Sequence, residues 1–581
     1  MKALVVDVRA QIGQRVAAGE TLVILEAMKM EHIVVAERGG IVTWVVAAAN
    51  SMVEAGEALV RLEAADVPIA RPTEDSELID RIRHDLEEVK ARHAFGLDEN
   101  RPEAVAKRRK TGQRTARENL ADLVDEGTWV EYGALVIAAQ RRRRSREDLI
   151  ARTPADGMIA GIGRINGDLF GESGTRAVVT SYDYTVLAGT QGTMNHLKKD
   201  RMFEIAEQRR LPVVLFSEGG GGRPGDTDYA VVAGLDCRAF QYFAELSGKV
   251  PLVGVNSGRC FAGNAALLGC CDVVIATKAS NIGMGGPAMI EGGGLGVFAS
   301  EQIGPSESQY RNGVIDLLVD DDAQAVRAAK KYLSYFQGTV ARWSSEDQRV
   351  LRSLVPENRL RVYDVRRIIE ALMDQDSVLE LRAGFGIAMI TVLARIEGLP
   401  VGVIANNPQH LGGAIDGEAA DKASDFMALC SRFGIPLVFL CDTPGFMVGP
   451  EAEETGLVKR AARLFTTGAH LGVPFCTVVL RKGYGLGAQS MAGGSFKAPS
   501  FTIAWPTGEF GGMGLEGAVK LGFRKELEAV ADPKEREKMF EQMVALAYER
   551  GKAINMAEHF EIDAVIDPID TRRWILSAVK P

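Results

Sequence analysis

The sequence predicts an α/β protein of two related tandem units, with a small all-β sandwich in front of them. Three observations lead there. A short motif recurs 37 positions apart near the N-terminus, and a strand-and-glycine theme recurs 224 and then 223 positions apart through the remainder. The 581 residues are also too many for a single core.

The first element is β. Val16-Ala-Ala-Gly-Glu-Thr-Leu-Val-Ile-Leu-Glu26 returns, largely identical, as Val53-Glu-Ala-Gly-Glu-Ala-Leu-Val-Arg-Leu-Glu63. Two quasi-equivalent strand–turn–strand units predict a two-fold sandwich over residues 1–64, with Glu26-Ala27-Met28-Lys29-Met30 on the hairpin between them. A lysine on a hairpin tip is ordinarily surface charge. Two flanking methionines argue for more, because large apolar side chains are costly to expose. Laying the second repeat on the first puts the counterpart of His32-Ile-Val-Val-Ala36 ahead of residue 1, so the first strand of the sandwich is expected to be missing.

Residues 65–76, with two prolines and no periodicity, read as a linker long enough to let a small domain swing. Leu78, Ile82, Leu86 and Val89 predict an amphipathic helix over Glu77–Lys90. The basic stretches Lys107–Lys110 (with Arg114 and Arg117) and Arg141–Arg144 read as solvated faces or, alternatively, as attraction for phosphates.

The long remainder divides at about residue 345 into units 77–345 and 346–581. Leu211–Phe216 is echoed by Ile435–Leu440, and Val250–Val255 by Val473–Leu480. Continuous apolar strands alternating with helices, such as the one patterned by Ala419, Ala423, Phe426, Met427, Cys430 and Phe433, predict mostly parallel sheets covered on both faces. In each unit a buried strand runs into a glycine-containing turn and then a helix-compatible stretch. The turns are Gly258-Arg-Cys-Phe-Ala-Gly263 before Asn264–Leu268, and Arg481-Lys-Gly-Tyr-Gly-Leu-Gly487 before Ala488–Met491. Free N–H groups at a helix start stabilise developing negative charge. Either turn alone reads as simple packing; two at repeat-equivalent positions favour a site.

Composition narrows the rest. A net charge of −9 gives no reason to expect nucleic-acid binding. The N-terminus has no cationic-plus-apolar leader, and no apolar run nears the ~20 residues of a membrane span, so a cytoplasmic protein is expected. The seven cysteines form no Cys-x-x-Cys pair and the seven histidines lack zinc-ligand spacing, so no metal is expected and the cysteines read as small buried residues.

Two resemblances give these features chemistry. Ala27-Met28-Lys29-Met30 is the biotinylation signature of the biotinyl domain of biotin-dependent carboxylases, which resembles residues 1–64. It implies that Lys29, flanked by Met28 and Met30, carries biotin through an amide bond, attached by a biotin protein ligase. Residues 77–581 resemble the carboxyltransferase β-type component of acyl-CoA carboxylases. The resemblance rests on Gly258–Gly263, Asn406-Asn-Pro, Gly412-Gly-Ala-Ile-Asp416, Ala420-Asp-Lys-Ala423, Asp442-Thr-Pro-Gly-Phe446, Val479–Gly485, Trp505-Pro-Thr-Gly508 and Met513–Ala518.

That resemblance implies two crotonase-like domains, with acyl-CoA on the first, biotin on the second, and sites shared between subunits, commonly in a hexamer. By position, the N–H groups of Ala262 and Gly263 would hold the thioester enolate, and those of Leu486 and Gly487 the biotin ureido oxygen. Carboxybiotin would release CO2, its ureido nitrogen would take the α-proton, and no side-chain base would be needed. Three places depart from the family. Glu218-Gly-Gly-Gly-Gly-Arg223 replaces Asp-Ser-Gly-Gly-Ala-Arg, Leu486 stands where propionyl-type enzymes have glycine, and Gln489 stands where many have an aspartate that influences acyl-chain choice. Gln489 is therefore the candidate for acyl selectivity, and the acyl group itself stays open. Nothing resembles an ATP-grasp biotin carboxylase, so a separate partner with that activity is implied. The alternatives are a decarboxylase or transcarboxylase running from a donor acyl-CoA, and a non-catalytic carrier scaffold.

Overall fold

A computed structural model describes residues 2–67, 82–229 and 232–580. The chain forms two compact units that divide after Lys90.

The first unit is all β. Its strands are β1 (Lys2–Val8), β2 (Arg15–Val16), β3 (Thr21–Ala27), β4 (Met30–Val35), β5 (Gly40–Val45), β6 (Met52–Glu54) and β7 (Val60–Ala64). They make two sheets, ordered β4-β3-β1-β6 and β2-β5-β7. Alternation along the strands places Val5, Val16, Leu22, Val23, Val42 and Val53 in one small core. The 37-residue repeat exchanges β1 with β5, β3 with β7 and β2 with β6. Among the described residues β4 has no counterpart, which is why one sheet has four strands and the other three.

Most of the expected linker, and Leu78 with the expected helix start, lie outside the described residues. The helix described there is His84–Ala94, displaced toward the C-terminus from the expected Glu77–Lys90, and it buries no residue.

The second unit holds two sheets. In the first the order is β16 (Leu317–Val319), β14 (Val273–Thr277), β12 (Leu252–Asn256), β11 (Val213–Phe216), β10 (Arg176–Tyr182), β9 (Met158–Arg164), β8 (Val130–Glu131). In the second it is β17 (Leu379–Leu381), β18 (Met389–Ile396), β19 (Leu399–Asn406), β20 (Leu437–Thr443), β21 (Phe475–Tyr484), β22 (Thr502–Ala504), β24 (Ala564–Val565), with β23 (Glu509–Gly511) on β21. Both are parallel beyond an antiparallel edge, β8-β9-β10 and β17-β18-β19 respectively. Each is a strand–helix alternation of crotonase type, and the equivalences follow the 224-residue spacing: β11 with β20, and helix Thr193–Arg209 with helix Gly417–Arg432.

Helix Gly417–Arg432 shows why the alternation holds. Asp416 caps it by accepting from the Ala419 N–H at 2.8 Å, and Ala419, Ala423, Phe426, Met427 and Cys430 form its buried stripe. One core contains Val214 and Val255 of the first sheet together with Phe439 and Val479 of the second. Cys260, Cys430, Cys441 and Cys476 are buried, while Cys237, Cys270 and Cys271 are half-buried. Among the described residues no helix is long and apolar enough to cross a membrane.

The halves differ in one respect that bears on function. The strand after Asn256 breaks and resumes as β13 (Arg259–Phe261), which pairs with β15 (Asn281–Gly283) in a separate ribbon. Its counterpart β21 continues unbroken to Tyr484. Arg481–Tyr484 is therefore strand rather than the turn expected from its glycine, and the turn starts at Gly485.

Candidate active site

The N-terminal hairpin is closed by the pair Ala27 and Met30, which leaves Met28 and Lys29 as a two-residue tip. Both have positive φ, 55° and 65°. Two left-handed residues match a hairpin to the strand twist, but asparagine and glycine ordinarily fill such positions. Met28 is 87% exposed and Met30 66%. A strained tip bearing two exposed thioethers is explained by what must recognise it. Lys29 projects from a place that an enzyme attaching biotin can reach, so the tip fits an amide-linked biotin.

In the first half, β11 runs into Ser217-Glu218 and four glycines. The Gly219 N–H donates to the Arg259 carbonyl at 2.8 Å, and the Phe261 N–H returns to the Gly219 carbonyl at 3.1 Å, which lays the glycines beside β13. A Cβ on Gly219 would lie 2.2 Å from the Gly189 carbonyl oxygen, so the approach needs glycine. Ala262, at φ 52° and ψ −123°, turns the chain into helix Gly263–Gly269. Gly263 stands at the first helical position, where an N–H has no intrahelical acceptor. The Ala262 N–H donates to the Gly283 carbonyl at 3.1 Å. Of the expected pair, Gly263 offers the available donor and Ala262 is engaged.

Buried charge holds this turn in place. The Arg223 guanidinium donates to Asp156, to the Thr190 hydroxyl at 3.1 Å and to the Thr190 carbonyl at 2.9 Å. Asp226 accepts from the Thr193 N–H at 2.9 Å. Arg108 pairs through both terminal nitrogens with Glu218, whose carboxyl is pushed up by burial against the pull of that arginine. The basic stretch is thus partly internal: Arg114 pairs with Asp122 and Arg117 with Glu131, whereas Arg141–Arg144 is exposed. Beneath the turn, Lys199 Nζ donates to the Tyr182 hydroxyl at 2.8 Å, and burial brings its ammonium down to about 7. His196 Nδ1 lies 3.1 Å from Cys237 Sγ, and burial holds its ring down near 3, so it is neutral at ordinary pH.

In the second half, Gly485 (φ 55°) turns β21 into helix Gly485–Ser490. Leu486 and Gly487 are its second and third residues, again N–H groups without intrahelical acceptors. The Leu486 side chain is 63% exposed. Gly487 is buried against the Asp442–Phe446 loop, and a Cβ there would lie 2.6 Å from the Gly445 Cα. Gln489 is exposed and borders a cavity of about 830 Å³ lined by Phe510, Leu515, Val519, Phe523 and Leu546 among others.

Asp442 opens the Asp442–Phe446 stretch named above. It is fully buried and accepts from the Tyr363 hydroxyl at 2.8 Å and from the Lys482 N–H at 3.1 Å. It also pairs with Arg481 and with Lys482 Nζ, both at 3.1 Å. This network ties β20 to the end of β21, four residues before the turn helix. A buried aspartate at a strand end facing an Arg-Lys pair one strand over was the available signal. Arg223 and Asp156 gave none, since their meeting depends on the tertiary fold.

Residues 107–580 match the carboxyl transferase domain family, and residues 1–62 match the biotin-requiring enzyme family. The methylmalonyl-CoA carboxyltransferase 12S subunit of Propionibacterium freudenreichii subsp. shermanii is 33% identical over 82% of this chain and 90% of its own. The biotin-dependent long chain acyl-coenzyme A carboxylase beta4 subunit of Mycobacterium tuberculosis is 32% identical over 84% of this chain and 92% of its own. A solved single-chain, multi-domain long-chain acyl-CoA carboxylase is 57% identical, with a TM-score of 0.83 over all of this chain. This chain spans 55% of that protein, just over half. The transcarboxylase 12S hexamer superposes with a TM-score of 0.73 at 30% identity, over 86% of this chain and 95% of its own. The two family matches cover the carrier hairpin and both helix-start turns, and the chain belongs to the carboxyl transferase family: it is a biotin-dependent acyl-CoA carboxyltransferase with a biotin carrier domain at its N-terminal end.

Proposed function

We propose that this chain carboxylates the α-carbon of an acyl-CoA longer than acetyl, using carboxyl groups loaded onto its carrier by a biotin carboxylase component. Biotin on Lys29 supplies a transferable carboxyl group and, once that has left, a nitrogen base. The chain's own residues do the rest. The Gly263 N–H, at a helix start in the first half, donates to the thioester oxygen as negative charge builds there. The Leu486 and Gly487 N–H groups stand at the equivalent helix start of the second half and hold the ureido oxygen. Each fixed donor is worth on the order of 3–4 kcal/mol in a dry site.

The observation that carries this reading is the pair of helix-start turns at repeat-equivalent positions, the first following the short strand β13 and the second ending the central strand β21. The cavity beside the second turn is lined by residues between 483 and 561 of the second half, and the hexamer assembly of the transcarboxylase 12S relative supports an oligomer. The long-chain substrates named for two relatives, and the uncharged Gln489 beside an apolar cavity, support a long acyl tail. The 33% identity to a methylmalonyl-CoA carboxyltransferase keeps transcarboxylation as a second reading. One experiment tests both. The biotinylated chain is given propionyl-, octanoyl- and palmitoyl-CoA, with ATP and bicarbonate, with and without a biotin carboxylase component. ATP-dependent carboxylation only with that component, best with the longer thioesters, is expected. Failure of the biotin carboxylase component to load the chain, with ATP-free transfer from methylmalonyl-CoA as the one route to product, would establish the second reading instead.

A further inference from the structure

The two halves of the second unit build the same turn around different side chains. Gln191 donates its backbone N–H to the Gly221 carbonyl at 2.7 Å and accepts from the Arg223 N–H at 2.9 Å. Shifted by 224, Ile415 donates to the Gly445 carbonyl at 3.0 Å and accepts from the Met447 N–H at 2.9 Å. The backbone is repeated and the side chain is not. Ile415 is fully buried in the apolar core, as an aliphatic group should be. Gln191 is 5% exposed, and its Nε2 is buried with no hydrogen-bond partner among the described residues. A buried unpaired amide costs stability, a cost that the second half avoids at the same place. The other end of the amide is at the turn: a Cβ on Gly263 would lie 2.9 Å from Gln191 Oε1.

We infer that the Gln191 carboxamide is the second donor to the thioester oxygen in the first half, beside the Gly263 N–H, and that Tyr182 and Lys199 orient it. The inference rests on the carboxyltransferase reading. That half needs a side-chain donor, because the Ala262 N–H is spent on Gly283, whereas the second half offers both Leu486 and Gly487. The two ends of a carboxamide have the same shape, and a half-turn about its last torsion exchanges them. Turned so, the NH2 stands beside Gly263 and Oε1 faces Tyr182. Tyr182 has a hydrogen to give. Its hydroxyl oxygen accepts from Lys199 Nζ at 2.8 Å, and burial pushes the phenol well above its ordinary range, against the pull of the nearby Gln191 amide. Lys199, fully buried on helix Thr193–Arg209, donates whether charged or neutral. The hydrogen bonds then run one way, from Lys199 through Tyr182 and Gln191 to the thioester oxygen, and each polarises the next. Gln191 is the catalytic group of this series; Tyr182 and Lys199 are positioning residues that act through it.

The test uses the full chain. Gln191→Met keeps the length of the side chain without the amide, and Gln191→Ile installs the residue of the second half. In decarboxylation of methylmalonyl-CoA onto free biotin, which passes through the same enolate, both should lose about 10²–10³ in kcat. Neither should lower Tm, because the replaced amide has no partner to give up. Octanoyl-CoA should bind both variants about 2–10-fold more weakly than wild type, and the thioether S-octyl-CoA, which lacks the carbonyl oxygen, equally well. Tyr182→Phe should cause a smaller loss of kcat. Adding it to Gln191→Met should change kcat by no more than about twofold, since Tyr182 acts through the amide. Folded Gln191 variants with kcat within about threefold of wild type would overturn the inference. So would equal weakening toward thioester and thioether, or a fall in Tm that tracks the loss of activity, either of which marks a residue that only props the turn. A wild-type chain that binds octanoyl-CoA but decarboxylates nothing would strike the functional reading, and the comparison of thioester with thioether would still decide Gln191.

Discussion

Leu486→Pro isolates a single hydrogen-bond donor. Proline removes the N–H at position 486, and that residue is the second of its helix, where a missing N–H breaks no helical bond. The side chain is mostly solvent-exposed, so little packing is lost. Gly487→Pro is a poorer probe, because any Cβ at 487 meets the Gly445 backbone at 2.6 Å and would move the Asp442–Phe446 loop. Loss of one donor to a developing anion costs on the order of 3–4 kcal/mol, or about 10²–10³ in kcat. Leu486→Ala keeps the N–H and should retain kcat within about threefold, since an exposed substitution changes stability by less than about 0.5 kcal/mol. Both variants are assayed for decarboxylation of methylmalonyl-CoA onto free biotin, with circular dichroism and Tm as checks on folding. If folded Leu486→Pro turns over as fast as Leu486→Ala, the second-half turn does not hold the anion.

Lys29→Arg should abolish avidin labelling of the whole chain, and any residual label would place biotin elsewhere. Arg108→Met strands the Glu218 carboxylate in the interior and should cost about 3–5 kcal/mol, read as a loss of urea midpoint; Arg108→Met with Glu218→Gln should recover much of it. Lys422 is buried, donates to the Met389 carbonyl at 2.8 Å and has its ammonium brought down by burial to about 7. Between that value and the ordinary 10.5, the unfolded chain binds the extra proton, so stability should rise with pH across that window and fall as pH drops toward 7. Lys422→Met should flatten that slope in urea titrations at pH 6, 8 and 10, and an unchanged slope would show that Lys422 does not titrate there. Gln489→Asp should shift kcat/KM toward shorter acyl-CoAs by about 10–200-fold; unchanged substrate ratios would remove residue 489 from the acyl site.

How much of this was legible depended on whether the cause was local. The sandwich and the doubled unit could be read because the 37- and 224-residue repeats are written in the residues themselves. Parallel strands such as Leu437–Thr443 announced themselves as unbroken apolar runs, since both faces of the sheet are covered. Boundaries were less visible. The second turn helix starts at Gly485 rather than Ala488, because a positive-φ glycine closes β21 and the following N–H groups already belong to the helix. The engagement of the Ala262 N–H was invisible, for Gly283 is brought to it only by the ribbon of β13 and β15. The role of Asp442 emerged only when β20 and β21 were set side by side.

The broken strand of the first half and the continuous strand of the second amount to a duplicated scaffold whose copies have drifted apart electrically. The break after Asn256 brings Gly258 against Glu218, whose carboxylate is balanced by Arg108 alone, one cation to one anion. The uninterrupted β21 carries Arg481 and Lys482 to a single Asp442, two cations to one anion. Glu509 accepts from the Tyr484 hydroxyl at 2.8 Å and feels the charge of Arg481, so the second copy sets an arginine and a lysine against two carboxylates where the first sets one ion pair. Two copies of one scaffold, charged differently behind their turns, need not hold the same anion.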